Sequence, residues 1–219
     1  MIFDLDYTMG NKFAGVGEVH SDNFKFVEQK ATKYPANLFL GLLKNNAEFR
    51  NKFINLYCDY ANEVYNPEKV NKVIGEYRNN MVDFVGYSQL RWWGWSSKLE
   101  GFASYRQRYQ TALNTLADFF QRRPQFTYQH MKDFLNLKGD LVELTIEIKG
   151  RGRVQISSIN PKFVEGKWSG KYFSEIPIVL KAIPDAGYYF KEWDGYMTSE
   201  KQAEEFILHS NEIIVAVFD

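Results

Sequence analysis

The hydrophobic period of this 219-residue chain changes near residue 138, and this change most restricts what the chain can fold into. Before it, apolar residues recur every three or four positions, as in amphipathic helices. After it, they alternate with polar residues, as in half-buried strands. The sequence therefore predicts an α+β protein with two domains, a helical region over residues 1–137 and a small antiparallel β-sandwich over residues 138–219.

Three apolar stripes predict the long helices of the first region. They lie within residues 49–64, 70–84 and 105–119. The second stripe follows Asn66-Pro67-Glu68, the pattern of an N-cap, a first-turn proline and a first-turn acid. Shorter helices are predicted over residues 36–44 and, after Arg123-Pro124, over residues 128–137. We expect residues 11–32 to be irregular or strand-like.

Six or seven short strands are predicted in the second region. Alternation is clearest from Val142 to Ile148, and it resumes at Val154 after the glycines of residues 150–152, which predicts a hairpin there. Further alternating residues are Ile178, Leu180, Ala182, Phe206, Leu208, Ile213, Val215 and Val217. Glycines 166, 170, 187 and 195 are interpreted as turns, with Trp168 and Trp193 among them.

Composition excludes several classes of protein. Lysine plus arginine equals aspartate plus glutamate at 27 each, so no overall basic field favours nucleic acid. No apolar run approaches the roughly 20 residues of a membrane helix. A single cysteine, Cys58, allows neither an internal disulfide nor a cysteine-based zinc site. Aromatic residues make up 17% of the chain, which is enough for a substantial core.

Asp4 and Asp6 are the candidate metal ligands. They follow an apolar strand and precede Gly10, and residues two apart on an extended chain point to the same face. Two such carboxylates form a hard oxygen site that suits Mg²⁺ bound to phosphate. Carboxylates at turns also cap backbone amides, and the spacing alone leaves both interpretations open.

Five tryptophans are candidates for stacking on a ligand. Trp92, Trp93 and Trp95 form a cluster, and Trp168 and Trp193 lie in the β region. If these rings are exposed, they could stack on sugar faces or contact a partner. Alternatively, the cluster fills the space between the second and third long helices, and the same two interpretations apply to Trp168 and Trp193.

The remaining reactive residue types give no catalytic pattern. His20, His130 and His209 are far apart in sequence, and none has a second metal ligand at helical spacing, so we interpret them as structural or surface residues. Cys58 is interpreted as a small buried apolar residue in a helix. The motifs of serine hydrolases, Walker-type nucleotide-binding proteins, dinucleotide-binding folds and zinc proteases are absent.

An ordered set of motifs resembles the C-terminal half of the CotH kinase family, known from spore-coat protein H. Residues 3–10, FDLDYTMG, resemble the family pattern W-D-L-D-x-x-x-G. Residues 37–45 and 48–53, NLFLGLLKN and EFRNKF, are similar to its L-L-x-N-x-E-F-R-x-x-F stretch. Asn66-Pro67-Glu68-Lys69-Val70 and the segment 123–137 follow in the expected order.

The second region is similar to divergent internalin-type repeat modules of bacterial surface proteins. The similarity is carried by residues 152–154, 168–173, 180–182 and 187–193. It implies no particular ligand. Together, the two resemblances imply a bacterial cell-surface or extracellular setting with a protein substrate, a surface partner or a polysaccharide.

The CotH resemblance implies the helical C-terminal part of a protein-kinase-like domain. In that family the D-L-D motif takes the part of the metal-binding aspartate, so Asp4 and Asp6 are the implied Mg²⁺ ligands, without a choice between them. Mg²⁺ and ATP are implied cofactors of a full-length parent that phosphorylates protein. We expect neither to be tightly bound to these 219 residues.

The resemblance begins at the D-L-D motif. A kinase also needs a phosphate-covering loop, a strand lysine and a catalytic-loop aspartate and asparagine, which the family carries upstream of that motif. We therefore expect these 219 residues alone to be catalytically inactive. Three functions stay open, namely a partial kinase-like domain, a module that binds glycan, cell wall or protein, and a structural surface protein without a ligand.

Overall fold

The computed structural model describes residues 9, 17–30, 36–93 and 99–219. Within these residues, five α-helices precede seven β-strands, so the fold is mixed α and β. The helices are α1 (Asn23–Lys30), α2 (Ala36–Asn45), α3 (Ala47–Asp59), α4 (Pro67–Trp93) and α5 (Leu99–Leu135). The strands are β1 (Leu141–Lys149), β2 (Gly152–Ile156), β3 (Lys167–Phe173), β4 (Pro177–Pro184), β5 (Phe190–Gly195), β6 (Ala203–Ile207) and β7 (Glu212–Phe218).

Asparagine side chains start two of the helices. Asn46 is the N-cap of α3, and its side chain accepts a hydrogen bond from the Phe49 amide at 2.9 Å. Asn66 accepts one from the Glu68 amide at 3.0 Å ahead of α4, which confirms the predicted start of that helix. After α3, the chain continues as a π-helical turn over Tyr60–Val64.

Two predictions about the helices are wrong. Residues 23–30 form α1 instead of irregular structure. Pro124 lies inside α5, which runs unbroken over 37 residues. The predicted break at Arg123-Pro124 and the predicted separate helix from residue 128 are therefore both wrong. A proline removes one backbone hydrogen bond, and packing along a long helix offsets that loss.

The chain forms two compact units. The first contains Met1–Asn23 and Tyr65–Thr127, and the second contains Phe24–Val64 and Tyr128–Asp219. The change from helix to strand falls between Leu135 and Leu141, close to the position that the hydrophobic period indicates. The domain boundary at residues 137/138 stays a prediction, because the two compact units show which residues pack together and not where one domain of the sequence ends.

In the first unit, α4 contacts the part of α5 that lies before Tyr128 through polar side chains. The Arg78 guanidinium donates to the side chains of Gln110 and Asn114 at 2.7 and 2.8 Å. Tyr109 donates its hydroxyl to the Tyr77 carbonyl at 2.9 Å. The predicted apolar stripe of α4 is only partly a core face. Ile74 is buried, whereas Val73, Tyr77, Met81 and Phe84 are exposed.

The second unit contains a sandwich of two sheets. One has the strand order β3-β1-β7-β5 and the other β2-β4-β6. β1 and β7 are parallel, whereas the other pairs are antiparallel. The predicted β1–β2 hairpin is wrong, because these strands belong to different sheets. The chain crosses between them at Gly150, whose φ of +92° favours glycine, and at Gly152, which lies against the Phe218 ring.

Alternation places the core between the two sheets. Its fully buried residues include Leu144, Ile146, Ile156, Tyr172, Ile178, Leu180, Trp193 and Ile214. Trp168 and Trp193 lie in strands β3 and β5 instead of turns. In β7, the core contains the side chains of Ile214, Ala216 and Phe218. Of the residues predicted to face inward, Ile213 is exposed, whereas Val215 is buried outside that core, so the inward-facing set is displaced by one residue.

Gly170 lies in β3 directly beneath the Trp168 indole, although the sequence predicted a turn there. A β-carbon at this position would lie 2.3 Å from the Trp168 ring and 2.9 Å from the Asn62 side chain. We predict that Gly170→Ala lowers the free energy of unfolding by about 1–3 kcal/mol, because the added methyl group overpacks a buried site. Urea denaturation measures this loss.

The matched control is Gly41→Ala in α2, where a β-carbon meets nothing within 4 Å. Because alanine favours helix over glycine, this change should stabilise the protein by about 0.5–1 kcal/mol. Equal effects of the two substitutions would contradict the packing assigned to Gly170.

Candidate functional site

The predicted metal ligands, Asp4 and Asp6, lie outside the described residues, as does Trp95. Trp92 and Trp93 are the last two residues of α4. In the part of the chain that the structure describes, no three histidine, cysteine, aspartate or glutamate side chains lie together as a metal site would require. The metal assignment therefore depends on the sequence motif.

The two tryptophans of the β region are buried. Trp168 is 8% exposed, and its indole N–H donates to Glu63 Oε2 at 3.3 Å. Trp193 is fully buried and donates to the Lys201 carbonyl at 2.9 Å. Because the rings lie in the core of the second unit and their N–H groups have protein acceptors, we do not propose either as a stacking residue.

The most unusual polar group of the second unit is the fully buried carboxylate of Asp59, at the end of α3. Its Oδ1 accepts a hydrogen bond from the Tyr172 hydroxyl at 2.7 Å. Its Oδ2 accepts two from Ser158, one from the backbone N–H at 2.8 Å and one from the hydroxyl at 2.6 Å. Three donors from two other segments thus satisfy the carboxylate without a cation.

Burial dominates the ionisation of this cluster. It raises the pKa of Asp59 above its ordinary value, although the hydrogen bonds from Ser158 and Tyr172 act in the opposite direction. The pKa of Tyr172 is raised well above its ordinary value by burial first and by the charge of Asp59 second. Burial likewise raises the pKa of the Cys58 thiol. Cys58 is therefore an inert core residue, as the sequence indicated.

Further asparagines join the α3 segment to the sheets. Asn62 pairs with both backbone groups of Lys171 in the edge strand β3, donating to the carbonyl and accepting from the amide, each at 2.9 Å. Asn55 donates its side-chain amide to the Pro177 carbonyl in β4 at 2.6 Å. Since a carbonyl only accepts, this bond fixes the orientation of the Asn55 amide and turns its Oδ1 away from Pro177.

A cavity of about 580 Å³ lies between α3 and the β2-β4-β6 side of the sandwich, within the second unit. One helical face of α3 forms one wall, including Glu48, Lys52, Asn55, Leu56 and Asp59. The opposite wall consists of Ser157, Ser158, Pro177, Val179 and Glu205. Asn55 is 9% exposed, and among the described residues its Oδ1 has no hydrogen-bond partner. This oxygen is itself buried, with less than 1 Å² of accessible surface.

The histidines take no part in this site. His20 is exposed and lies 3.0 Å from Glu18. His209 is exposed, and His130 is partly buried. No histidine lines the cavity.

Comparison with known proteins identifies the first part of the chain. The family model described as CotH kinase protein matches residues 1–127, more than half of the sequence. The chain belongs to the CotH kinase protein family. This match includes Asp4, Asp6 and the cavity-lining helix α3, so one wall of the cavity comes from the CotH region and the other from the strands that follow it.

The other comparisons add no relative. No curated protein matches the chain, and no solved structure matches it. The internalin-type resemblance of residues 138–219 therefore stays a prediction. In the helices of the described residues, no segment is long and apolar enough to cross a membrane.

Sequence reasoning missed Asn55 and Asp59. The predicted apolar stripe of residues 49–64 consisted of Phe49, Phe53, Leu56, Tyr57, Tyr60 and Val64. The fully buried apolar residues of α3 are Ile54, which was not in that stripe, and Cys58, which was predicted to be buried. One signal was available. Asn51, Asn55, Asp59 and Asn62 recur at helical spacing although such residues disfavour helix interiors, and a face of this kind indicates side chains that bond to another element.

We predict opposite outcomes for two substitutions of Asp59. Asp59→Leu leaves the Ser158 N–H and the Tyr172 hydroxyl without an acceptor, and it should cost more than about 3 kcal/mol of unfolding free energy. Asp59→Asn can still accept from Ser158 and can donate to the Tyr172 oxygen, so it should cost about 1 kcal/mol. Urea denaturation of both variants checks this, and equal losses would contradict the assigned network.

The same residue predicts a pH effect. Because the pKa of Asp59 is raised on folding, its protonated form favours the folded state. This stabilisation is complete at pH values below the unfolded pKa near 3.8, and it is lost as the pH rises through the folded pKa. Wild-type stability should therefore fall relative to the Asp59→Asn variant across that interval. Unfolding free energies measured from pH 4 upward test the sign, and a constant difference would refute it.

Proposed function

We propose that this protein is a kinase-like member of the CotH family in which Asp4 and Asp6 hold the Mg²⁺ of bound Mg·ATP. The proposal is supported by one observation, that the CotH match spans residues 1–127 and so includes the D-L-D motif. Paired carboxylates are hard oxygen ligands, which fits Mg²⁺ better than softer metals. When bound, the ion would neutralise charge on the phosphate oxygens.

We further propose that residues 1–219 alone do not transfer phosphate. Phosphoryl transfer depends on positioning and electrostatics that several kinase parts supply together. The phosphate-covering loop, strand lysine and catalytic-loop residues that the resemblance places before the D-L-D motif are not among these residues. A parent containing them would phosphorylate protein, and a bacterial surface or extracellular setting follows from the same resemblance.

A second candidate function is partner binding by the second unit. The cavity between α3 and the strands favours it over a purely structural role, because a concave site of this volume lined by both apolar and polar residues is a feature of binding sites. The buried Trp168 and Trp193 give no support to stacking on a glycan.

We predict that calorimetric titration with Mg·ATP gives saturable binding that Asp4→Asn and Asp6→Asn each weaken by about tenfold or more, since each removes a charged ligand. Asp185→Asn, which changes an exposed carboxylate in the second unit, is the matched control. Absence of saturable binding would refute the metal proposal.

Activity is a separate prediction. Incubation of the 219-residue chain with radiolabelled ATP and a protein substrate should give no transfer above background. Transfer that disappears with Asp4→Asn would overturn the proposed inactivity while supporting the metal site.

A further inference from the structure

One side of α4 presents an apolar stripe to solvent. Its members are Val73, Tyr77, Met81, Phe84 and Tyr87, whose exposed fractions run from 41% to 66%. Their spacing of three or four residues places them on the same side of the helix, along a length of about 21 Å. We call this surface the α4 stripe. A soluble protein seldom exposes a continuous apolar surface of this length unless the surface meets another one.

The area of the α4 stripe is that of a small protein–protein interface. A buried aromatic side chain covers about 150–250 Å², so the exposed parts of the three rings leave roughly 300–450 Å² in contact with water. With the exposed parts of Val73 and Met81, the stripe offers about 500 Å². Two copies facing each other would bury about 1,000 Å², the lower limit for a specific interface, whereas permanent dimers bury about 2,000 Å² or more.

The α4 stripe is also uncharged. Asn80 and Ser88 are the exposed polar residues on the same side of the helix, and neither carries a charge. The hydrogen bonds from α4 to α5 are made elsewhere, by the Arg78 side chain and the backbone carbonyl of Tyr77. An uncharged apolar surface has no group with which to select a charged partner. It can face an identical surface without bringing like charges together.

We propose that two copies of this protein associate through the α4 stripe, with their α4 helices antiparallel about a twofold axis. Such a contact uses the same surface on both copies. With the axis near residues 80 and 81, Tyr77 faces Phe84 of the second copy and Val73 faces its Tyr87. Small side chains then lie opposite large ones, which keeps the helices evenly spaced, and the opposed helix dipoles favour this direction.

This association would join the CotH regions of two chains, because α4 lies within residues 1–127. It is independent of the proposed metal site, since it uses neither Asp4 nor Asp6. The modest area predicts a reversible dimer with a dissociation constant in the micromolar range.

The test is sedimentation equilibrium of the full 219-residue chain at concentrations from about 2 to 200 µM, which bracket that constant. We expect the average mass to rise from that of one chain to that of two. Phe84→Glu places a carboxylate in the apolar contact and should weaken association about tenfold or more. Because glutamate favours helix more than phenylalanine does, the variant should keep its fold, which circular dichroism at low concentration verifies.

The matched control is Val164→Glu. Val164 lies in the second unit and is 68% exposed, close to the 66% of Phe84. It receives the same carboxylate outside the α4 stripe, and its association should equal that of the unmodified chain.

Two double variants test the antiparallel direction. In Tyr77→Glu with Phe84→Lys, each glutamate faces a lysine of the second copy if the helices are antiparallel, but faces a glutamate if they are parallel. In Tyr77→Glu with Phe84→Glu, like charges meet in either direction. We therefore expect the first double variant to associate at least about threefold more tightly than the second.

Three results would overturn the proposal. A single-chain mass at every concentration would assign the α4 stripe to a different polypeptide. Association that Phe84→Glu leaves unchanged, or that Val164→Glu weakens equally, would place the contact on another surface. Equal association of the two double variants would refute the antiparallel pairing. A failed Mg·ATP titration would leave this proposal standing, because the two experiments concern different residues.

Discussion

The buried carboxylate of Asp59 is the interaction on which the second unit depends. A carboxylate at zero exposure is tolerated only when its lone pairs are occupied, and here the donors come from Ser158 after β2 and Tyr172 in β3. The three bonds therefore fix α3 against two separate segments of the sandwich. Once α3 is placed, Asn62 reaches the edge strand β3 and Asn55 reaches Pro177. The cavity is the space that remains beside these contacts.

This placement joins two parts of the sequence into one packing unit. The CotH match ends at residue 127, yet α3, which lies within it, shares a core with the strands of residues 141–218. Ile54 and Cys58 of α3 and Tyr128 and Met131 of α5 all belong to that core. Loss of the strands would expose this apolar surface and leave Asp59 without Tyr172 and Ser158. The CotH match over residues 1–127 therefore does not coincide with a packing unit, because part of it packs with the strands that follow.

The two candidate sites differ in how they could be found. Asp4 and Asp6 are visible in the sequence, because the D-L-D motif is local and a family resemblance assigns its chemistry. Asn55 and Glu205 are 150 positions apart and form one site only because α3 lies across the strands. Nothing local marks them, apart from the recurrence of asparagine and aspartate on one face of a helix. The unsatisfied oxygen of Asn55 appears only when the bond to Pro177 is known.

The sequence by itself determined the class and order of the elements. The change of period placed the helix-to-strand transition, Asn66 marked the start of α4, and alternation located most strands, since these signals act over a few residues. Tertiary structure decided the rest. It carried α5 through Pro124, placed β1 beside β7 in parallel and β2 in the other sheet, and turned Ile214 inward in place of Ile213. These outcomes depend on contacts between residues far apart in sequence, whose packing energy outweighs the local preference for a break, a hairpin or a given face.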